Sequence, residues 1–299
     1  MEELISYLKE RKIIKTKKVE DAFRNTPFIN FVPKNQIERF LFDSPVMFPT
    51  LGRNISAPHM NAIMLELLDL DFDDNLLIIG SKLGYLASLA SHIVTDGNIV
   101  IIDANSLVVA QTIKNLERIN LQERIHVANS QPLEGDVENS PWDRIVVTAS
   151  IREISLDLLA QLKVGGSIFA PVGDMRKQEL VQQFRQNVNL NKGDFLQKSW
   201  GSVVFGPLDI NLDTSEVYEG DLLDENEFAK EYDEKLKTTE NLTFFCPHCQ
   251  FEFFQLPLSL KTPSKKISVN YKIQCPQCKK VFSLIAKLKD DDSLELSIE

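Results

Sequence analysis

The sequence is short of cysteine until its end. All four cysteines fall between positions 246 and 278 of the 299 residues, so the long preceding stretch cannot be a disulfide scaffold. Basic charge is in deficit as well. The 33 lysines and arginines face 43 acidic residues, and the formal net charge is −10. That excludes a surface that binds nucleic acid over its whole extent, though not a local basic patch. No uninterrupted apolar run is long enough to span a membrane. The start, Met1-Glu-Glu-Leu4, has neither a basic region nor an apolar core, so no secretory signal is expected. Internal repeats are lacking, and the one biased tract is acidic. These absences point to a soluble, cytoplasmic protein without a membrane partner. The length suggests two domains more readily than one, and a hydrophobic content of 43% is enough to fill a sizeable core.

What is present centres on Asn75 to Ala90. Leu76–Ile79 is a short apolar run, as in a parallel strand covered on both faces. Gly80 and Gly84 then flank Ser81, Lys82 and Leu83, and a helical pattern begins at Tyr85. A strand, a glycine turn and a helix bring backbone N–H groups to a ligand at a helix N-terminus. Upstream, helices are predicted over Leu4–Arg11, after an N-cap at Thr16, and over Gln36–Leu41, with an extended segment at Phe28–Pro33. An irregular loop, Phe48 to Met60, leads into a helix over Pro58–Leu68 with Met60, Ile63, Met64 and Leu67 inward.

Downstream, strand and helix alternate. Strands are predicted at Asn98–Ile102 with Asp103 at its end, Ile125–Ala128, Arg144–Thr148 and Ser167–Val172. Helices are predicted at Tyr85–His92, Leu107–Ile119 and Ser155–Leu162, the last ending at Gly165-Gly166. Leu180–Asn187 with a late strand at Val203–Phe205 continues the alternation. The fold class is therefore α/β, a doubly wound and mainly parallel sheet with helices on both faces.

Composition divides the chain into residues 1–212, an acidic linker at 213–240, helical in part between Asn226 and Lys237, and a small β-rich domain at 241–299. In the last of these, Cys246-Pro-His-Cys249 and Cys275-Pro-Gln-Cys278 lie about 25 residues apart. Each pair can offer two thiolates to one metal, and together they complete a four-sulfur tetrahedral site, the signature of a structural zinc ribbon. Disulfides or redox dithiols are the other reading of the same pairs, without a thioredoxin-like context to favour it. His248 sits inside a knuckle and reads as solvent-facing. Lys261, Lys265, Lys266, Lys272, Lys279 and Lys280 make this domain locally basic: a solvated face, or a patch for nucleic acid.

Several motifs carry a family resemblance. Asn54-Ile-Ser-Ala-Pro-His-Met60, with Phe31-Val-Pro33 before it and Pro171-Val-Gly173 after it, resembles the protein-L-isoaspartate O-methyltransferases. Pro141-Trp-Asp143, Gln161-Leu-Lys-Val-Gly-Gly166 and Val204-Phe-Gly-Pro-Leu208 follow in the family's order, and the likeness runs from about Arg11 to Leu208. It implies a class I, Rossmann-like methyltransferase. Such enzymes use S-adenosylmethionine to methylate the α-carboxylate of L-isoaspartyl residues in damaged proteins. The ester then collapses to a succinimide that reopens partly to aspartate. The resemblance implies Ser56 as the catalytic residue beside the carboxylate, with Ile55, Ala57, His59 and Val172 against the substrate. It assigns Gly80, Ser81, Gly84, Tyr85, Asp103 and Gln131 to the cofactor. In-line transfer of a methyl group from a sulfonium to an ionised carboxylate needs orientation and desolvation, and no general base. Ser56 alone could equally be an N-cap, and His59 alone a structural side chain.

The sequence departs from the family pattern at the cofactor turn. Ile78 stands at the usual acidic position and Lys82 at the middle glycine. Ser130-Gln-Pro132 replaces Gly-Asp-Gly, and Gly52-Arg-Asn54 replaces Gly-Gln-Thr. Hence the alternative function: a catalytically lapsed methyltransferase fold that serves as a binding module, its zinc ribbon contacting nucleic acid or a protein partner. A retained cofactor with a changed substrate is a third possibility, with Arg53 and Asn54 the residues responsible.

Overall fold

In the computed structural model of the chain, the residues described are 1–174, 176–188, 194–228, 244–245, 247–249, 252–253, 269–274, 278–288 and 294–298. The chain forms two compact units, Met1–Glu231 and Tyr232–Glu299. Among the described residues, no helix is long and apolar enough to cross a membrane.

The first unit opens with α1 (Glu2–Glu10) and α2 (Lys17–Asn25). Thr16 caps α2, its hydroxyl accepting from the Val19 N–H at 3.4 Å, and Val19, Ala22 and Phe23 turn inward as their spacing predicts. Phe28–Asn30 makes a 3-10 turn rather than an extended segment. Phe28 thereby reaches the core and stacks on Phe40 with ring centres 5.2 Å apart. After α3 (Ile37–Leu41) come β1 (Val46–Phe48) and β2 (Arg53–Ile55), an antiparallel pair that holds the irregular loop. Helix α4 occupies Pro58–Leu68, the range expected. Its deepest side chains are Asn61, Ala62, Met64, Leu65 and Leu68, however, and Met60, Ile63 and Leu67 are only half-buried. The inward face is rotated from that prediction, and Asn61 joins it by donating its amide to the Ser56 and Ala57 carbonyls.

The sheet is built from β3 (Leu76–Ile79), β4 (Ile99–Asp103), β5 (Ile125–Asn129), β6 (Trp142–Val147), β7 (Leu162–Asp174), β8 (Lys177–Arg185) and β9 (Phe195–Val203). Spatial order is β5-β4-β3-β6-β7-β8-β9, parallel from β5 through β7. The crossovers between its parallel strands include α5 (Tyr85–Ser91), α6 (Ser106–Glu117) and α7 (Leu156–Ala160). All four residues of β3 are fully buried at the centre of the sheet. One face packs Leu77, Ile79, Val100, Ile102, Trp142, Ile145 and Leu158 into a single apolar cluster. Burying each such side chain contributes about 1.5–3 kcal/mol, so this face supplies much of the driving force for folding.

The last strands depart from the alternation. Helix α7 stops at Ala160, and β7 starts at Leu162 and continues through Gly165-Gly166, where its pairing with β6 shifts register. Leu180–Asn187 falls mostly within β8, which pairs antiparallel with β7, and the late strand is β9, which begins eight residues before Val203 and pairs antiparallel with β8. A hairpin extension makes good physical sense here, because antiparallel strands need only a short turn.

The acidic segment begins as structured chain. Asp213 bridges to Asn105, the Leu223 N–H donates to Gln111 Oε1 at 2.8 Å, and Phe228 is buried beneath the Arg118 guanidinium, 4.2 Å from its ring centre. The first compact unit thus takes in residues 213–228, which composition alone assigns to a linker. The helical reading of Asn226–Lys237 lies mostly outside the described residues, and 225–227 form a 3-10 turn.

In the second unit, β10 (Phe244–Phe245) pairs with β11 (Glu252–Phe253), and β12 (Val269–Gln274), β13 (Val281–Leu288) and β14 (Leu294–Ile298) form an antiparallel sheet. Cys246 and Cys275 lie outside the described residues, so the four-sulfur prediction falls partly beyond them. Cys249 is exposed and Cys278 half-buried.

Candidate active site

Three strand ends create the site. At the C-terminal edge of β3, Gly80 turns the chain with φ +86°, and a Cβ there would meet Thr148 Oγ1 at 2.6 Å. Thr148 follows β6 and donates its hydroxyl to Gly80 O at 2.7 Å, which locks the two strand ends together. After Ser81, which is right-handed at φ −68°, the turn is left-handed through Lys82 (φ 45°), Leu83 (φ 59°) and Gly84 (φ 88°). The Ser81 hydroxyl accepts from the Leu83 N–H, and Asn115 Nδ2 donates to Leu83 O, so a conformation that L-residues ordinarily avoid is held from both sides.

Asp103 ends β4 and is 3% exposed. One of its oxygens accepts from the Ser81 N–H at 2.9 Å. The other accepts from the Asn105 N–H at 3.1 Å and from Arg53 at 3.2 Å. The same Arg53 nitrogen reaches Asp209 at 3.0 Å, so a single guanidinium on β2 ties together two carboxylates. Burial works against the Arg53 charge, but Asp103 and Asp209 overcome it and raise the pKa. Lys82 is 8% exposed, and its Nζ donates to Asn54 Oδ1 at 2.8 Å. Desolvation, helped by the Arg53 charge and opposed by Asp103, pulls the Lys82 pKa down to about 8.

These groups border a cavity of about 410 Å³, within the range of small-molecule sites. Gly52, Arg53 and Asn54 line one wall, Gly80, Ser81, Lys82 and Asp103 the floor, and Thr148, Ala149 and the segment Gly206–Asn211 the rest. Behind Asp103, Gln131 donates its amide to Ile210 O at 3.0 Å. Its Oε1 and the Ser130 hydroxyl are buried with no hydrogen-bond partner among the described residues.

Residues 1–212 match the sequence profile of the protein-L-isoaspartate(D-aspartate) O-methyltransferase family. The chain belongs to this family. A protein-L-isoaspartate O-methyltransferase of Thermococcus sibiricus is 36% identical over 206 residues, which cover 69% of this chain and 91% of that protein. One of Pyrococcus horikoshii is 37% identical over 204 residues, 68% of this chain and 90% of the relative. Among solved structures, a Plasmodium falciparum protein described as this methyltransferase in complex with S-adenosyl-L-homocysteine superposes with a TM-score of 0.59. It is 22% identical, covers 70% of this chain and 98% of its own, and so establishes the shared fold.

Within this methyltransferase-family unit, the cavity gathers Gly80, Ser81 and Asp103 of the residues expected at the cofactor, and Gln131 is anchored to its wall. Gly84 and Tyr85 are not brought to it. Gly84 packs against Leu116 and Thr112 of α6, and Tyr85 is fully buried edge-on to Phe31 and Phe40. Ile55, Ser56, Ala57 and His59 continue from the cavity wall at Asn54 but do not line the cavity, and neither does Val172. Ser56 is buried, and it is not the cap of α4. Ala57 holds that position and no side chain caps the helix, while the Ser56 carbonyl accepts from Asn61 Nδ2 at 2.8 Å. His59 is gripped by Asp43, which accepts from its backbone N–H at 2.7 Å and from Nδ1 at 3.0 Å.

Three contributors were not visible as site residues in the sequence: Thr148, Asp209, and Arg53 as a clamp between carboxylates. Asp209 lies 156 positions from Arg53, and its only signal was its place directly after the Val204-Phe-Gly-Pro-Leu208 motif.

Proposed function

We propose that the first unit methylates the α-carboxylate of L-isoaspartyl residues in damaged proteins, with S-adenosylmethionine as donor. Family membership supports the reaction, and one observation carries the cofactor fit. Next to a buried strand-end carboxylate stand two buried oxygens without partners among the described residues, Gln131 Oε1 and Ser130 Oγ. Buried acceptors left unmatched cost about 1–3 kcal/mol each, and an adenosine offers donors for them. Gln131 Oε1 would take the adenine amino group and Asp103 a ribose hydroxyl. Asp103 already accepts from three donors, so that hydroxyl takes the remaining lone pair or displaces Arg53, which keeps Asp209. When bound, S-adenosylmethionine supplies an activated methyl group whose thioether leaving group needs no acid. The remaining work falls to the chain. Ser56 orients the isoaspartyl carboxylate, the loop from Asn54 to His59 excludes water around it, and Asp43 fixes the His59 ring. An ionised carboxylate carries no proton, so none of these groups has to act as a base.

The test is methyl-ester formation on an isoaspartyl peptide with labelled cofactor. Turnover by the wild type, reduced by about a hundredfold in Ser56→Ala, is expected. Equal background in both folded proteins would favour the second reading, a lapsed methyltransferase serving as a binding module. The observation on that side is electrostatic: Arg53 is matched by Asp103 and Asp209, whereas Lys82 forms no ion pair among the described residues and adds a cation to a cavity meant for a sulfonium cation. Calorimetric titration with S-adenosylmethionine separates the two readings.

The second unit is read as a zinc ribbon. In support, Cys249 follows β10 and precedes β11, Cys278 follows β12 and precedes β13, and both strand pairs are antiparallel, while Cys246 and Cys275 lie outside the described residues. Four thiolates would close the site, making the metal structural. Such a site calls for a reducing compartment, hence a cytoplasmic location, and the ribbon would serve a protein or nucleic-acid partner. One zinc per chain by elemental analysis is the expected result.

A further inference from the structure

Lys82 is a buried ammonium that forms no ion pair among the described residues. It borders the cavity, it is 8% exposed, and the partner of its Nζ is the neutral Asn54 oxygen. The two carboxylates of the same cavity are engaged elsewhere, Asp103 and Asp209 both closing on Arg53. Among the described residues, no carboxylate forms an ion pair with Lys82. A buried, unpaired charge is costly, yet the surrounding chain spends further energy to keep this one in place. The lysine holds a left-handed backbone angle of +45°, and the turn around it is fastened by Ser81 and Asn115. The ammonium therefore borders a volume with room for a further negative charge, beyond what Asp103 contributes through space.

We propose that Lys82 is the carboxylate-binding residue of this cavity. A carboxylate fits better than a phosphate dianion because Asp103 and Asp209 border the same space and would repel a second full charge. Two carboxylates are available under the function proposed above, on which this inference rests: that of the cofactor's amino-acid half and that of the isoaspartyl substrate. In either case the added negative charge offsets the repulsion between the sulfonium and the two basic side chains. Lys82 is thus a specificity-determining residue, one that replaces a glycine contact with an ion pair.

The experiment is calorimetric titration of the full chain and of Lys82→Met. The ligands are S-adenosylhomocysteine, its decarboxylated analogue that keeps the α-amino group, and an isoaspartyl peptide with and without its α-carboxylate amidated. If the cofactor is the source, wild type prefers S-adenosylhomocysteine over the decarboxylated analogue by about tenfold or more, and Lys82→Met abolishes the preference. Binding of the decarboxylated analogue by the variant shows that it is folded. If the substrate is the source, the same loss is read in the peptide pair instead. Wild type that binds each ligand and its neutralised counterpart equally, or Lys82→Met that binds S-adenosylhomocysteine more tightly, overturns the inference and makes Lys82 an obstruction. Failure of the proposed function looks different: neither adenosyl ligand binds the folded wild type at all.

Discussion

The turn after β3 and the turn after β4 open onto the same cavity from adjacent parallel strands, yet they are made differently. The β4 turn uses ordinary devices. Asp103 accepts two backbone N–H groups, and Asn105 caps α6 by accepting from the Val108 N–H at 3.0 Å. The β3 turn strings together four residues of positive φ with one interruption, Gly80, Lys82, Leu83 and Gly84, and buries a lysine among them. One side binds by accepting hydrogen bonds, and the other presents a charge. Two neighbouring turns of one sheet can hence diverge in chemistry while the strands beneath them stay in register.

Substitutions that erase either side test this contrast. The largest effect is expected for Asp103→Ala. It leaves Arg53 with Asp209 alone and strands two backbone N–H groups, so a loss of about 3–5 kcal/mol in denaturant unfolding accompanies the loss of adenosyl-ligand binding. Unchanged stability would mean that the Arg53 clamp contributes little. Gly80→Ala comes next. A Cβ there overlaps Thr148 Oγ1 and must adopt φ +86°, for a cost of about 2–3 kcal/mol read as a lowered Tm. A variant as stable as wild type would show that the β3 turn yields more readily than its hydrogen bonds suggest.

A third effect, similar in size to that of Gly80→Ala, concerns pH. The Lys82 pKa is about 8 in the folded protein against 10.5 ordinarily, so between these values the unfolded chain binds the extra proton. Ligand-free wild type should then gain stability relative to Lys82→Met as pH rises through that window, by about 2–3 kcal/mol. Taking the difference between the two proteins cancels the opposing contribution of Tyr85, whose pKa burial raises. Parallel stability curves would remove the buried ammonium from the description.

Much of the fold was legible because its pattern is local. Leu76–Ile79 and Pro58–Leu68 carry their limits in apolar runs and in Pro58 at a helix start, and the sheet's centre follows from them. Strands β8 and β9 were harder to see. Gln178 and Gln182 are buried polar residues on β8, and β9 is exposed along almost its whole length, so neither shows the alternation that marks a strand. The site divides in the same way. Asp103 could be found because a strand ends on it. The clamp of Arg53 on Asp209, the inward Lys82 side chain and the unmatched Gln131 oxygen depend on which distant segments meet, and no local spacing encodes that.

The buried Phe228 bears on where this protein can be cut. With Arg118 lying over its ring, its bridge to Pro33 and the Leu223 bond to Gln111, the acidic segment is pinned to the first unit through residue 228. A fragment ending at 212, where the family likeness stops, would strip the cover from α6 and leave Gln111 and Arg118 facing solvent. The smallest autonomous methyltransferase fragment therefore ends beyond Phe228, and limited proteolysis should spare the acidic stretch before it despite its surface composition.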